Sequence, residues 1–290
     1  MELFQTTLIL GVTLGLVYAL VGAGLVVIYR TSGYVSFAQG DIASVGLYVG
    51  LFAYTAGLPY WWTALIVIIV CCLLAGAIGR FIVVPLERFG KLSAALATIG
   101  IGLAIQGIEA LVVTTDARGF PSVGDAIVLR IGPVGLSQAN VAAMVIAVAL
   151  FIALGIFFKS SKTGMAMRAV SDNPTAATHV GISGNRLKYL SWLIAGVLAG
   201  VTGLFVAPVY SLFPGSVNVL LVFGFATVVF GGFESITGSI IAGIVFGVVG
   251  NLVAAYLHPG LVTFAVYVIV LLVLLVRPSG LLGRKPLVRV

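Results

Sequence analysis

Charged and amide side chains are scarce in this chain, so each one set within an apolar run stands out. Two stretches place a carboxylate beside glycine inside such a frame: Ser36-Phe37-Ala38-Gln39-Gly40-Asp41 and Phe230-Gly231-Gly232-Phe233-Glu234-Ser235-Ile236-Thr237-Gly238. A carboxylate at the centre of a bilayer costs about 2.5 to 3.5 kcal/mol on insertion scales, so it normally faces a cavity or a partner. Glycine lets a helix unwind and present backbone donors and acceptors to a passing solute. Ser36, Phe37, Gln39, Gly40, Asp41, Gly231, Gly232 and Glu234 are therefore candidates for lining a route across a membrane. The competing reading puts Asp41 and Glu234 near the inner interface, solvated or capping helices. Gln106 and Glu109, three apart and so on one helical face, are available to the route, to a subunit interface or to hydrogen bonding between helices.

Other chemistries lack their parts. His179 and His258 are isolated, no nucleophile stands with a base, and no Cys or His cluster has metal spacing. Cys71 and Cys72 are adjacent within an apolar run and read as packing residues. No Gly-x-x-x-x-Gly-Lys-Ser/Thr phosphate loop occurs, and Gly90-Lys91-Leu92 lacks both the upstream glycine and the following hydroxyl. The expectation is a chain that is not an enzyme and holds no cofactor of its own.

The elements that must position these residues follow from composition. The chain has 290 residues, 61% hydrophobic and 8% charged, with mean hydropathy +1.25. A soluble domain of this size cannot hide so much apolar surface. The reading is an all-α, polytopic membrane helical bundle. Nine apolar runs approach the roughly 20 residues that cross a bilayer: about 6–29, 36–56, 61–84, 93–114, 137–158, 188–208, 217–233, 237–257 and 261–276. Eight spans result if one of the Gly-broken segments dips in and returns. The first run is too long for a signal peptide and reads as a retained span. One transmembrane domain over 1–290 is expected, with a loop at 159–188.

The net charge of +7 reports topology rather than nucleic-acid binding. Thirteen of the fifteen Lys and Arg residues fall on alternate connections of one side, leaving Arg118 and Arg130 for the other. The positive-inside rule then puts the N-terminus outside and the 159–188 loop and C-terminus in the cytoplasm. The outer loop Thr115–Ser137 reads as a docking surface or a plain solvated loop. Small-residue spacings recur at Gly11/Gly15, Gly46/Gly50, Gly196/Gly200 and Gly243/Gly247, the pattern by which helices approach closely in lipid.

The 159–188 loop carries five Lys and Arg residues and its own helix signals. Met165 to Ser171 favours helix, Asn173 can cap a second one opened by Pro174, Gly181 suits its end, and Ser183 can cap the next. Met165, Met167, Val170 and Ala177 would form an apolar, adaptable side, with Lys162, Arg168 and Asp172 around it.

Lys162-Thr-Gly-Met-Ala-Met-Arg-Ala169, with Ala177 and Val180-Gly181-Ile182, resembles the cytoplasmic coupling loop of permease subunits of branched-chain amino acid ABC importers. The resemblance extends to Tyr18-Ala19-Leu20, to Ala97-Thr98-Ile99-Gly100-Ile101-Gly102, to Val229-Phe230-Gly231-Gly232 through Gly238, and to Arg277-Pro278-Ser279-Gly280-Leu281-Leu282-Gly283. Where related permeases show Asn-Phe-Ala-His-Gly-Glu, this chain has Ser36-Phe37-Ala38-Gln39-Gly40-Asp41, matching at Phe37, Ala38 and Gly40 and differing at Ser36, Gln39 and Asp41. The resemblance implies inward movement of leucine, isoleucine and valine, although similar permeases handle urea, amides and other amino acids. It implies ATP bound by two partner ATPase subunits, a homologous second permease, an extracytoplasmic substrate-binding protein, and a bacterial-type plasma (inner) membrane. Lys162, Gly164, Met165, Met167, Arg168, Ala169, Asp172, Ala177 and Gly181 would couple to the ATPase. The alternative class is a gradient-driven carrier or channel using Asp41 or Glu234, which leaves the 162–182 motif without a role.

Overall fold

The computed structural model describes residues 2–113, 116–131 and 134–283. Thr115, Pro133, Arg284, Lys285 and Arg289 of the sequence reading lie outside the described residues. Each of the nine apolar runs carries a helix among the described residues. The helices are α1 (Glu2–Ser32), α2 (Gln39–Thr55), α3 (Tyr60–Ile78), α4 (Val84–Leu86), α5 (Lys91–Val113), α6 (Gln138–Ser160), α7 (Lys162–Asp172), α8 (Pro174–His179), α9 (Gly184–Val206), α10 (Asn218–Gly231), α11 (Ile236–Tyr256) and α12 (Val262–Val276).

Seven helical stretches among the described residues are long and apolar enough to cross a bilayer. The two apolar runs that fall short are α2, with 17 residues, and α10, with 14. At about 1.5 Å per residue they rise roughly 26 and 21 Å against a core of about 30 Å. These are the helices next to the two polar breaks: α2 begins in the first and α10 ends in the second. Between α3 and α5 the helical path tightens and loosens through a π turn at Gly79–Val83 and a 3-10 turn at Glu87–Phe89. Pro85, which cannot donate to the preceding turn, accounts for the irregularity.

The 116–137 connection, read as an outer loop, has more regular structure than that reading gave it. It carries an antiparallel pair, β1 (Ile127–Ile131) and β2 (Val134–Ser137). The β-branched run Ile127-Val128 and the following Gly132-Pro133 were the available signals.

The chain divides into two compact units. In the unit formed by 27–123 and 148–221, α2, α3 and α9 pack together as the core. Glycines make that contact: Gly46 and Gly50 of α2 lie against Cys71 and Val67, and Gly196 and Gly200 of α9 against Cys71, Ala75 and Ile68. Cys71 is buried and its thiol donates to the Ile42 carbonyl at 3.4 Å, which makes it a packing residue. In the unit formed by the remaining described residues, Gly11 and Gly15 of α1 meet Gly247 and Gly243 of α11 backbone to backbone. Each of the four small-residue spacings read from the sequence is thus a helix contact. Tyr18 stacks on Phe223 with centroids 4.5 Å apart.

Lipid offers no hydrophobic drive for joining helices, so these close van der Waals contacts supply much of the association. Gly243→Leu should force α11 away from α1 and cost about 1 to 3 kcal/mol, read as a lower midpoint of thermal unfolding in detergent. Gly155→Ala, where a Cβ meets nothing within 4 Å, should leave that midpoint unchanged.

Candidate functional site

The first break is held by the face that α2 presents to α5. Asp41, Ser44 and Tyr48 recur at helical spacing on α2, and Thr98, Gly102, Gln106 and Glu109 on α5. The Phe37 backbone N–H donates to Thr98 Oγ1 at 3.0 Å. One turn on, Asp41 packs on Gly102, where a Cβ would collide with its carboxylate. Asp41 Oδ1 accepts from Gln106 Nε2 at 2.9 Å. Ser44 lies beside Glu109, and Tyr48 is in electrostatic reach of Glu109 and Arg118. The contacts advance in the same direction on both helices, so α2 and α5 run parallel. Asn218 closes the seam near Asp41, and a Cβ on Gly40 would press against its Oδ1 at 2.9 Å. Asp41 is fully buried, so the reading of a carboxylate solvated at an interface does not hold for it.

Ser36 and Gln39 point elsewhere. With Ile28, Ile42, Ala75, Trp192, Ala195, Gly196 and Ala199 they line a gap of about 180 Å³ that has no room for a water molecule. The Ser36 hydroxyl, both Gln39 amide atoms and Trp192 Nε1 are buried without partners. A buried unpaired polar group costs about 1 to 3 kcal/mol, so this gap is a stressed, dry place in the present conformation. Behind it, Tyr34 in the α1–α2 connection is buried, and that burial, aided by the Glu87 carboxylate, raises its phenol above its ordinary pKa. Lys188 at the start of α9 pairs with Glu87.

The second break lies in the other compact unit and is built differently. Gly231 and Gly238 meet backbone to backbone, and Gly232 has φ +103°, a left-handed turn open to glycine. The C-terminal segment closes it: the N–H groups of Leu281 and Leu282 donate to the carbonyls of Phe230 and Gly231 at 2.8 and 3.1 Å. The exposed end of α10 is thereby satisfied. Ser235 caps α11 by accepting from Gly238 N at 2.9 Å. Glu234 is half-buried.

The elbow forms as its sequence signals indicate. Ser161 accepts from Gly164 N at 2.9 Å, and Asn173 accepts from Ala176 N at 3.0 Å ahead of Pro174. Gly181 has φ +81°. Ser183 stands at the start of α9 but makes no side-chain cap bond. Arg168 Nη2 donates to the Lys159 carbonyl at 3.5 Å, tying α7 back to α6. Gly164 lies on the Phe157 and Phe158 backbone, so a side chain there would displace the elbow. The apolar side expected to face a partner divides in two: Met167, Val170 and Ala177 are buried in the chain itself, while Met165 is 48% and Val180 74% exposed. Lys162, Arg168, Ala169, Asp172 and Gly181 are exposed.

Residues 7–276 match the family described as the branched-chain amino acid transport system permease component. The chain belongs to that family. This permease is 29% identical to the high-affinity branched-chain amino acid transport system permease protein LivH of Salmonella typhimurium, over 97% of this chain and 96% of the relative. It is 25% identical to BraD of Pseudomonas aeruginosa, a permease protein of the same description, over 98% of this chain and 97% of the relative. A probable branched-chain amino acid transport permease protein LivH of Methanocaldococcus jannaschii is 28% identical over 91% of this chain and 88% of the relative.

The permease's polar seam includes Ser44, Tyr48 and Asn218, which the sequence reading did not name, and Thr98, which it named only within the Ala97–Gly102 resemblance. Ser44 and Tyr48 stand three and seven places after Asp41, a helical signal that was available; Asn218 had none. In the seam, Gln106→Ala should leave Asp41 short of its donor and cost about 1 to 3 kcal/mol. A double-mutant cycle with Asp41→Ala, read by thermal unfolding in detergent, should show a coupling energy of about 1 kcal/mol or more, because the second change removes the group the first one stranded.

Proposed function

We propose that this chain is the permease subunit of an ABC importer that moves leucine, isoleucine or valine, or a related small polar solute, inward. The energy comes from ATP split by two partner ATPases. The observation that carries the reading is the elbow: two capped helices tied to α6 and α9, with Met165, Arg168, Ala169 and Val180 left outward on one surface. Such a rigid, half-apolar projection suits docking into a cleft. A homologous second permease and an extracytoplasmic binding protein complete the assembly. The complex sits in a bacterial-type inner membrane, with the N-terminus outside and the elbow inside.

In this reading ATP-driven closure of the ATPases moves α7 and α8, and the tethers at Gly164 and Arg168 pass the motion to the spans. Packed helix interfaces respond to such a push by switching between discrete arrangements. The dry gap at Ser36 and Gln39 supports this, since an arrangement that opens it would give its unpaired amide and hydroxyl a solute or water to bond. The α2–α5 seam supplies polar lining.

A photoreactive residue in place of Met165, in native membranes, should capture an ATPase subunit, whereas one in place of buried Met167 should not. Capture of lipid alone from position 165 would overturn the ABC reading in favour of a gradient-driven carrier. Gly164→Val, which would drive α7 off the end of α6, should lower substrate-stimulated ATP hydrolysis at least about tenfold, the effect expected when positioning is lost.

A further inference from the structure

Among the described acids, Glu109 is set apart by burial without a partner. It is 5% exposed, and neither carboxylate oxygen has a hydrogen bond. The two groups nearest in the seam share that condition: Ser44 is 1% and Tyr48 4% exposed, and neither hydroxyl has a partner. Asp41, one turn away on the α2 side, is by contrast engaged by Gln106. The cation in this neighbourhood is Arg118, which acts on Tyr48 across space but spends its guanidinium on the Val113 carbonyl at 3.3 Å. No described Lys or Arg forms an ion pair with Glu109.

Three buried oxygen-bearing side chains on two helices, none in a well-formed hydrogen bond although the Ser44 hydroxyl stands within reach of the carboxylate, leave acceptor capacity for a donor. A carboxylate is acceptor-only, and each hydroxyl can accept as well as donate. The complementary group carries several N–H donors, no acceptor and one positive charge, which is an ammonium. A neutral solute would leave the carboxylate's charge uncompensated in a low-dielectric surrounding, and an anion would be repelled. A metal ion fits poorly, since no group of three or more metal-ligating side chains gathers among the described residues.

We propose that Glu109, with Ser44 and Tyr48, receives the ammonium group of an amino acid in transit. The assignment rests on the transport reading above and deepens it, by making the permease itself selective for solutes that carry an amine.

The test uses the complete transporter, permease with its ATPases and binding protein, in proteoliposomes loaded to drive uptake of radiolabelled leucine. Glu109→Gln keeps the shape and removes the charge, and should lower uptake at least about tenfold, the loss that follows when a charged hydrogen bond is removed. Glu109→Asp should recover a measurable part of the rate. Tyr48→Phe, which removes one hydroxyl and little volume, should lower uptake about two- to fivefold; it also serves as the second variant if Glu109→Gln inserts poorly. A wild type that imports leucine beside Glu109→Gln and Tyr48→Phe variants of equal rate overturns this assignment alone. A wild type that carries only solutes without an amine overturns the substrate reading and this assignment together.

Discussion

Hydrocarbon offers no hydrogen bonds, and that constraint governs every irregular feature of this permease. A helix can stop inside a membrane-length run only where another part of the protein takes over the bonds it abandons. α10 ends at Gly231 because the backbone of Leu281 and Leu282 supplies the missing donors. The segment before α2 leaves the helical path where the Thr98 hydroxyl receives the Phe37 N–H. The two short helices are therefore possible only together with the distant segments that close them.

The same constraint separates structural polar groups from candidate functional ones. Asp41 is buried but served by Gln106, Cys71 by a backbone carbonyl, and Thr31 and Ser191 by each other at 2.7 Å. The Gln39 amide, the Ser36 hydroxyl and the Glu109 carboxylate are served by nothing in this conformation. Close contacts at glycine hold helices together within each compact unit, and these unserved groups lie among the buried polar atoms that such packing leaves unpaired. A transport protein needs such places, because a group already fully bonded has little to offer a solute.

Much of this was legible in the sequence, and what was not has a physical explanation. The apolar runs, the small-residue spacings and the elbow's caps are local patterns, and local patterns predict local structure. The inward turn of Met167 against the outward turn of Met165 was not readable, because both belong to an amphipathic helix whose neighbours on α6 and α9 choose which face is covered. The pairing of Ile127–Ile131 with Val134–Ser137 was not legible, because strands of five and four residues carry too little alternation to be told from a solvated loop.

The sequence by itself determined that this is a membrane permease: composition set the helical class, the Gly-acid breaks located the short helices, and the 162–182 motif marked the elbow. Only the tertiary structure decided which polar residues meet. Asp41 with Gln106, Glu109 beside Ser44 and Tyr48, and Leu281 with Phe230 are groups brought together from separate segments of the chain. Their partnership depends on how helices cross rather than on spacing along one of them, and no periodicity within a single helix records that crossing.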